Sequence, residues 1–434
     1  MPAEVSLLAC RNRSLWSRLS FGRALLSRAR RKRYKHSGRD WPLVTVAGLT
    51  EVKVNRKGAH RVASGHPWIF SSDVVERDNA APGSVVKVLN HQGRPIGTAH
   101  YSSTSQISLR LLSSEIQEID REFFARRLAE ADEYRRLVVR DTDAYRVVHG
   151  EGDRLPALVV DRYGDYLVIQ TLDQGMDAAK DWIIEALVKL FSPRGIVARN
   201  DAPVRAHEQL PLETGVVFGE APEGLTIHMN GLAFGADLLH GQKTGIFLDQ
   251  RENYVAAARY AHGKALDCFT STGGFALHLA AKCESVEAID SSAAALAAAE
   301  ANRTANGISN VEFKEADVFE ILGGYASARR EFATVVLDPP AFAKSRRNLE
   351  AAARGYKDIN LRALRLLGRG GILVTCSCSH HVSEAMLLEI VAQAALDAGR
   401  ELRVLERRTQ AQDHPILLTV PETHYLKCLV LQVV

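Results

Sequence analysis

From about Tyr254 to the C-terminus the chain repeats one rhythm of strand, loop and helix. The segments "KALDCF", "SVEAID", "VEFKEAD", "ATVVLDPP" and "GILVTCSC" are short and mostly apolar, and helical stretches such as "AAALAAAEANRTANG", "DINLRALRLL" and "AMLLEIVAQAAL" alternate with them. Strands buried on both faces and joined by helical crossovers form a parallel, doubly wound sheet, and few other architectures accept such a pattern. The closing "RELRVLERR" and "HYLKCLVLQVV" read as a terminal antiparallel pair.

Two smaller units precede it. From Val44 to about Ser114, "TEVKV", "GSVVKVLN", "PIGTAHYS" and "QISLRLLS" alternate between turn signals and predict a small β-barrel. Within "RKGAHRVASGHPWIF", Arg56, Lys57, Arg61, His66, Trp68 and Phe70 combine charge with rings. That suits an RNA-facing surface, although Trp68, Ile69 and Phe70 equally fit a core. Asp120 to Val139 has helical spacing. Strands follow at "YRVVHG", "ALVVDRYGDYLVIQ" and "GIVARN", with a helix near Ala178 to Leu190, before hairpin-like strands in "VFGEAPEGLTIHMNGLAFGADL". The expected fold class is α/β: a basic tail over 1–43, a β-barrel over 44–116, a central α+β domain over 117–225 and a Rossmann-like domain over 226–434.

Composition narrows the setting. The longest apolar runs fall far short of the roughly 20 residues that cross a bilayer, so no membrane span is expected. Six irregularly spaced cysteines do not make a disulfide scaffold, and reduced thiols in a cytoplasmic protein follow. The net charge of +4 conceals a tail: residues 1–40 hold eleven Lys and Arg against Glu4 and Asp40, which leaves the rest of the chain at −5. This stretch is expected to be disordered and reads as a transit peptide, an RNA-binding arm or an overcalled start.

Ligands of a doubly wound sheet sit at the carboxyl ends of its strands. The first such turn, "LDCFTSTGGFALHLA", ends in Gly273-Gly274 but lacks the earlier glycines that admit a pyrophosphate. A cofactor without phosphates needs only one close backbone approach. Asp290 closes the next strand, where a carboxylate can accept ribose hydroxyl protons, and Asp317 closes the one after, where it could meet an adenine amino group. Either acid alone reads as a turn or N-cap residue. Together, on successive strands, they favour S-adenosylmethionine. In "VVLDPPAFAKS", Pro339 and Pro340 stiffen a turn that holds Asp338 at the sheet edge, with Phe342 within stacking reach of a planar group. A rigid loop with a solvated Asp is the plainer alternative.

The stretch "VTCSCSHH" looks like a ligand cluster, but strand alternation separates its members. Val374, Cys376 and Cys378 face one way and Thr375 and Ser377 the other. The spacing is not that of a zinc site, and adjacent His380 and His381 diverge. A redox pair would more commonly be C-x-x-C. Cys376 should lie deep in the sheet, while Cys378, nearest the Asp338 loop, remains as a thiolate nucleophile.

From about Thr45 onward the chain resembles the ribosomal RNA large-subunit methyltransferase I family. The matching stretches are "GHPWIFSSDV", "YRVVHGEGDRLPALVVDRYGD", "GQKTGIFLDQREN", "LDCFTSTGGF", "LDPPAFAKS" and "TCSCSH". The resemblance implies a PUA domain, a small central domain and a Rossmann-like class I methyltransferase domain that makes 5-methylcytosine in 23S rRNA. It implies S-adenosylmethionine lined by Asp267, Phe269, Thr270, Gly273, Asp290 and Asp317. Cys378 would be the nucleophile and Asp338 would hold the target base, with Pro339, Pro340 and Phe342 bordering it. Lys243, Gln250 and Arg251 would border cofactor or RNA, or form ordinary charged surface. The chain departs from the family pattern at Ser271, where Tyr is usual, and at Ala157, where Gly is common. Ala341 stands where a two-cysteine branch has Cys, so a one-cysteine scheme follows. The expected partner is 23S rRNA or a large-subunit precursor, with a homodimer as one option. Two rivals stay open: methylation of an exocyclic base nitrogen, which needs no cysteine, and a non-catalytic RNA-binding factor.

Overall fold

The computed structural model describes residues 48–241, 244–343 and 346–434. The basic tail, with its three readings, and Lys243 lie outside them.

The first unit is a six-stranded sheet of β1 (Thr50–Val54), β2 (Trp68–Phe70), β3 (Val74–Glu76), β4 (Val85–Leu89), β5 (Pro95–Tyr101) and β6 (Ile107–Ser113), in the order β2-β6-β5-β4-β1-β3. Helix α1 (Arg56–Ala63) follows β1, capped by the Asn55 side chain, which accepts from the Gly58 amide. The sequence pattern shows four of these strands; β2 and β3 are three residues long, and α1 is too polar to announce itself. Ile69 is fully buried with Val52, Val54, Val86 and Leu109. Trp68 and Phe70 are half-buried, so the "WIF" stretch is part core and part surface.

The second unit packs α2 (Arg121–Val138) against a five-stranded sheet of β7 (Ala144–His149), β8 (Leu158–Tyr163), β9 (Tyr166–Thr171), β10 (Gly195–Asn200) and β11 (Glu213–Gly219). Asp120 starts α2 by accepting from the Phe123 amide, and Phe123, Phe124 and Leu128 are the face it buries. Helices α3 (Gln174–Ala178), α4 (Lys180–Phe191) and α5 (Val204–His207) complete this unit. β11 pairs with β10 and not with the strands that follow it. Those are a separate hairpin, β12 (Leu225–Met229) and β13 (Leu232–Ala236), turned at Asn230-Gly231, where both residues have positive φ.

The third unit runs α6 (Arg251–Tyr260), β14 (Lys264–Cys268), α7 (Gly274–Ala280), β15 (Ser285–Asp290), α8 (Ala293–Ala305), β16 (Val311–Glu315), α9 (Val318–Ser327), β17 (Phe332–Leu337), α10 (Leu349–Leu366), β18 (Leu367–Ser377), α11 (Glu384–Ala398), β19 (Leu402–Thr409) and β20 (Lys427–Val433). Its strand order is β16-β15-β14-β17-β18-β20-β19, parallel through β18, with β20 antiparallel to both of its neighbours. The order reverses between β14 and β17, which opens the crevice where a ligand enters such a sheet. Apolar clusters cover both faces: Phe275, Leu277 and Val374 on one, Ile359, Leu373 and Leu387 on the other.

The terminal loop between β19 and β20 ties the units together. The buried Asp413 carboxylate accepts from Arg251 at 3.1 Å and from the Arg146 amide at 2.8 Å, while its carbonyl accepts from Arg135. Against the opposing effect of burial, its neighbours His414 and Arg251 hold the Asp413 carboxyl well below the usual carboxylate range. Arg251 is therefore a buried cation, which corrects the alternative that read it as ordinary charged surface.

Candidate active site

The first turn after β14 is built by backbone torsion and by a buried acid. Phe269, Ser271 and Gly273 all have positive φ, so three of five successive residues are left-handed. At Gly273, with φ +87°, any side chain would be strained. At Gly274 a Cβ would lie 2.4 Å from Cζ of the buried Tyr254. The Asp267 carboxylate holds this coil from beneath: Oδ2 accepts from Thr270 Oγ1 at 2.6 Å and from the Ala276 amide at 2.9 Å. Its Oδ1 is buried with no partner among the described residues. Burial pushes the Asp267 carboxyl up to about 7, against the Thr270 and Ala276 bonds, with the Asp338 and Asp290 charges adding to the rise.

Asp290 joins the same turn. Its Oδ2 accepts from the Ser271 amide and its Oδ1 from the Ser292 amide, each at 2.9 Å. Asp317 is exposed and caps α9 by accepting from the Glu320 amide at 3.1 Å. An anionic pyrophosphate placed here would face the acids Asp267 and Asp290. A ligand offering hydroxyl and ammonium donors would find acceptors, and the orphaned Asp267 Oδ1 is one already desolvated. The residues thus fit an adenosyl cofactor without phosphates.

The ends of β17 and β18 form the facing half. Gln250, 2 % exposed, donates through Nε2 to Asp338 Oδ1 at 2.9 Å and accepts from Asn253 Nδ2 at 2.7 Å, so its amide is fixed at both ends. Pro339 is buried and Pro340 exposed. Cys378 lies just past β18, half-buried, its Sγ 4.0 Å from the Pro339 carbonyl oxygen. The other described cysteines are buried. Cys376 sits opposite Cys428 in the sheet, and burial and that neighbour push its thiol up. Behind Cys378, the Tyr356 hydroxyl meets Ser377 Oγ at 2.9 Å and Ser379 Oγ at 3.1 Å, and Ser379 Oγ accepts from the Ala343 amide. This chain of bonds fastens the end of β18 to the Asp338 loop. Phe342 is half-buried, its ring centroid 4.7 Å from that of Tyr356.

The structure therefore gathers Asp267, Thr270 and Asp290 at one side of the crevice and Asp338, Pro339 and Cys378 at the other. Asp317 stands at the neighbouring strand end in a capping role. Sequence reasoning placed Gln250 near the site without its bond to Asp338 and passed over Lys427. That lysine is buried at the start of β20 and donates to the Ser379 and Tyr425 carbonyls, both at 2.7 Å. A lone charge inside the apolar "HYLKCLVLQVV" was the available signal. A cavity of about 940 Å³ runs between the three units, lined by Trp68 and Arg110 of the first, Arg146 and His149 of the second, and His380 and Tyr425 of the third.

A reversed-order parallel sheet whose crevice offers acids in place of phosphate-binding amides defines an S-adenosylmethionine-dependent methyltransferase, and the family model of that description matches residues 203–431. A PUA-like domain model matches residues 52–114. Ribosomal RNA large subunit methyltransferase I of Shewanella amazonensis is 43 % identical over 377 residues, 85 % of this chain and 95 % of its own length. The protein of that name from Escherichia coli is 40 % identical over 371 residues, 83 % and 94 % of the two chains. The chain belongs to the ribosomal RNA large subunit methyltransferase I family, and S-adenosylmethionine is its cofactor. A solved chain from Streptococcus mutans, described as a SAM-dependent methyltransferase, shares the fold at 20 % identity, with a TM-score of 0.76 over 88 % of this chain and 100 % of its own. A second, complexed with SAH, superposes equally well at 19 % identity.

Proposed function

We propose that this protein methylates carbon 5 of a cytosine in 23S ribosomal RNA, in the cytoplasm, through a covalent bond between Cys378 and the base. The carrying observation is the placement of Cys378: half-exposed at the end of β18 and in contact with the Asp338-Pro339-Pro340 turn, while Cys376 is sealed in the sheet. We assign residues 44–116 to RNA binding, 117–225 to the central domain and 226–434 to catalysis.

Carbon 5 of cytosine is a weak nucleophile. Bond formation between the Cys378 thiolate and carbon 6 makes carbon 5 enamine-like, and dividing the reaction in this way lowers its barrier. When bound, S-adenosylmethionine supplies an electrophilic methyl group. Asp338, its carboxyl group set by Gln250, hydrogen-bonds the ring nitrogen or exocyclic amine of the base, and a proton on the ring nitrogen neutralises the charge that develops there as the thiolate adds. Phe342 and the two prolines wall the pocket for the extruded base. Loss of the carbon 5 proton and cleavage of the S–C6 bond restore the aromatic ring and the free cysteine. Asp267, Phe269, Thr270, Gly273, Asp290 and Asp317 hold the cofactor, and the cavity lined by Trp68, His149 and Tyr425 receives the RNA flanking the target.

The test compares two cysteines. Cys378→Ala should lower methylation of large-subunit RNA by at least about 10³-fold and abolish a denaturant-resistant RNA adduct, and Cys376→Ala should retain both. Full activity in Cys378→Ser would instead establish a reaction at an exocyclic nitrogen. Nucleoside mass spectrometry of the rRNA reads out the product.

A further inference from the structure

A half-buried thiolate is stabilised by a cation close to it. Around Cys378 the described groups offer few. Tyr356 of α10 and Tyr425 ahead of β20 are neutral phenols, both raised by burial. Desolvation, with Lys427 and His381 nearby, lowers the pKa of His380 and keeps it uncharged at neutral pH. Glu422 is a further acid on the terminal loop, paired with His66. Lys427 is different. It pairs in register with Ser377, is 2 % exposed and has no carboxylate partner among the described residues. Its Nζ is held by two carbonyl oxygens, one belonging to Ser379, the residue after Cys378.

We propose that Lys427 is a positioning residue whose buried ammonium stabilises the Cys378 thiolate and fixes the strand end that carries it. Two carbonyl acceptors favour the charged amine, and an ammonium has a third N–H to offer. A cation in a water-poor site acts on a neighbouring thiol far more strongly than one in solvent. The interaction is mutual: burial lowers the Lys427 amine to about 8, and a negative Cys378 raises it. Lys427 thus remains largely protonated at neutral pH, and its help to the thiolate fades as pH rises through that value. The inference takes its purpose from Cys378 as nucleophile, but its measurement uses no RNA.

The experiment is the pH dependence of Cys378 alkylation by iodoacetamide in the full-length protein, located by peptide mass spectrometry. The wild-type midpoint should lie about one unit or more below the ~8.5 of a free thiol. Lys427→Met should raise it by about one unit, a roughly tenfold loss of labelling rate at pH 7, and Lys427→Arg should restore most of the shift. A wild-type midpoint at or above that of a free thiol would overturn the proposal. So would an unchanged midpoint in a Lys427→Met protein that melts cooperatively. Should the methionine variant fail to fold, Lys427→Gln, which can still donate to one carbonyl, takes its place with the same two outcomes. Undiminished methylation by Cys378→Ser would remove the nucleophile reading and leave the titration result standing.

Discussion

The two halves of the crevice are held in different ways. The turn after β14 is self-contained: Asp267 bonds to Thr270 and Ala276, and Asp290 to Ser271 and Ser292, all within or beside the loop itself. The β17 and β18 ends are braced from a distance, with Asp338 held by Gln250 and the Cys378 strand end by Tyr356 and Lys427. The proposed cofactor acceptors lie on adjacent strand ends, Asp267 on β14 and Asp290 on β15, so bonds spanning no more than 19 residues hold them. Under the proposed mechanism Asp338 and Cys378 must stay partly exposed, and buried residues behind them fix their orientation.

Gln250→Leu is the sharpest way to break this contrast. Removing the amide while keeping its bulk takes one hydrogen bond from Asp338, and under the proposed mechanism a misoriented catalytic group costs about 10²-fold in rate. Methylation should fall by that order while S-adenosylmethionine affinity, measured by calorimetry, changes less than about twofold. Equal losses in both would mean the two halves are one mechanical unit.

Gly274→Ala probes the other half. The new Cβ would meet Tyr254, which cannot swing aside because Phe275 and His278 pack on its ring at 4.8 and 5.1 Å. Overpacking of this kind costs roughly 1–3 kcal/mol. Cofactor affinity and denaturant stability should therefore fall together, whereas the Cys378 alkylation rate should be unchanged.

This contrast also explains what the sequence made legible. The parallel sheet was readable because strands buried on both faces are apolar throughout, and Asp267, Asp290, Asp338 and Cys378 stood out because each falls at or beside a strand end. The bracing groups were hidden. Gln250 is 88 residues from Asp338, and Arg251 is 162 from Asp413, and no local pattern joins such pairs. For Arg251, ordinary charged surface was one of the readings open, because a charge in isolation is expected there; the buried Asp413 removes that one. The Asn230-Gly231 hairpin was legible from its turn chemistry, but the departure of β11 to pair with β10 was not, since strand partners are chosen by tertiary packing.

Asp267 gives the self-contained turn a pH signature. Its carboxyl lies at about 7 in the fold against 3.8 for the unperturbed group, so the proton it keeps adds stability that is full below about 3.8 and is lost as pH rises through 7. Asp267→Asn should flatten this dependence, and its melting temperature relative to wild type should climb between pH 5 and pH 8. Cofactor binding should show the opposite slope: a ligand that donates to the ionised carboxylate binds wild type more tightly as pH rises from 6 to 8, and the Asn variant loses that gain. A parallel pH profile in both proteins would mean that Asp267 does not titrate in this range.

The smallest expected effect lies outside the crevice, at a strained backbone position in the central unit. Ala157 precedes β8 with φ +64°, a left-handed conformation that costs a residue with a Cβ about 1–2 kcal/mol. Ala157→Gly removes that strain but adds chain entropy to the unfolded state, worth roughly 0.5–1 kcal/mol in the other direction. The net should be a stabilisation of about 0.5–1 kcal/mol, visible as a higher denaturant midpoint at unchanged slope. Because Ala157 also lines the cavity between the three units, a change in RNA affinity without a change in cofactor affinity would show that the strained turn shapes the RNA side. Unchanged affinities would confine its role to the packing of the central sheet.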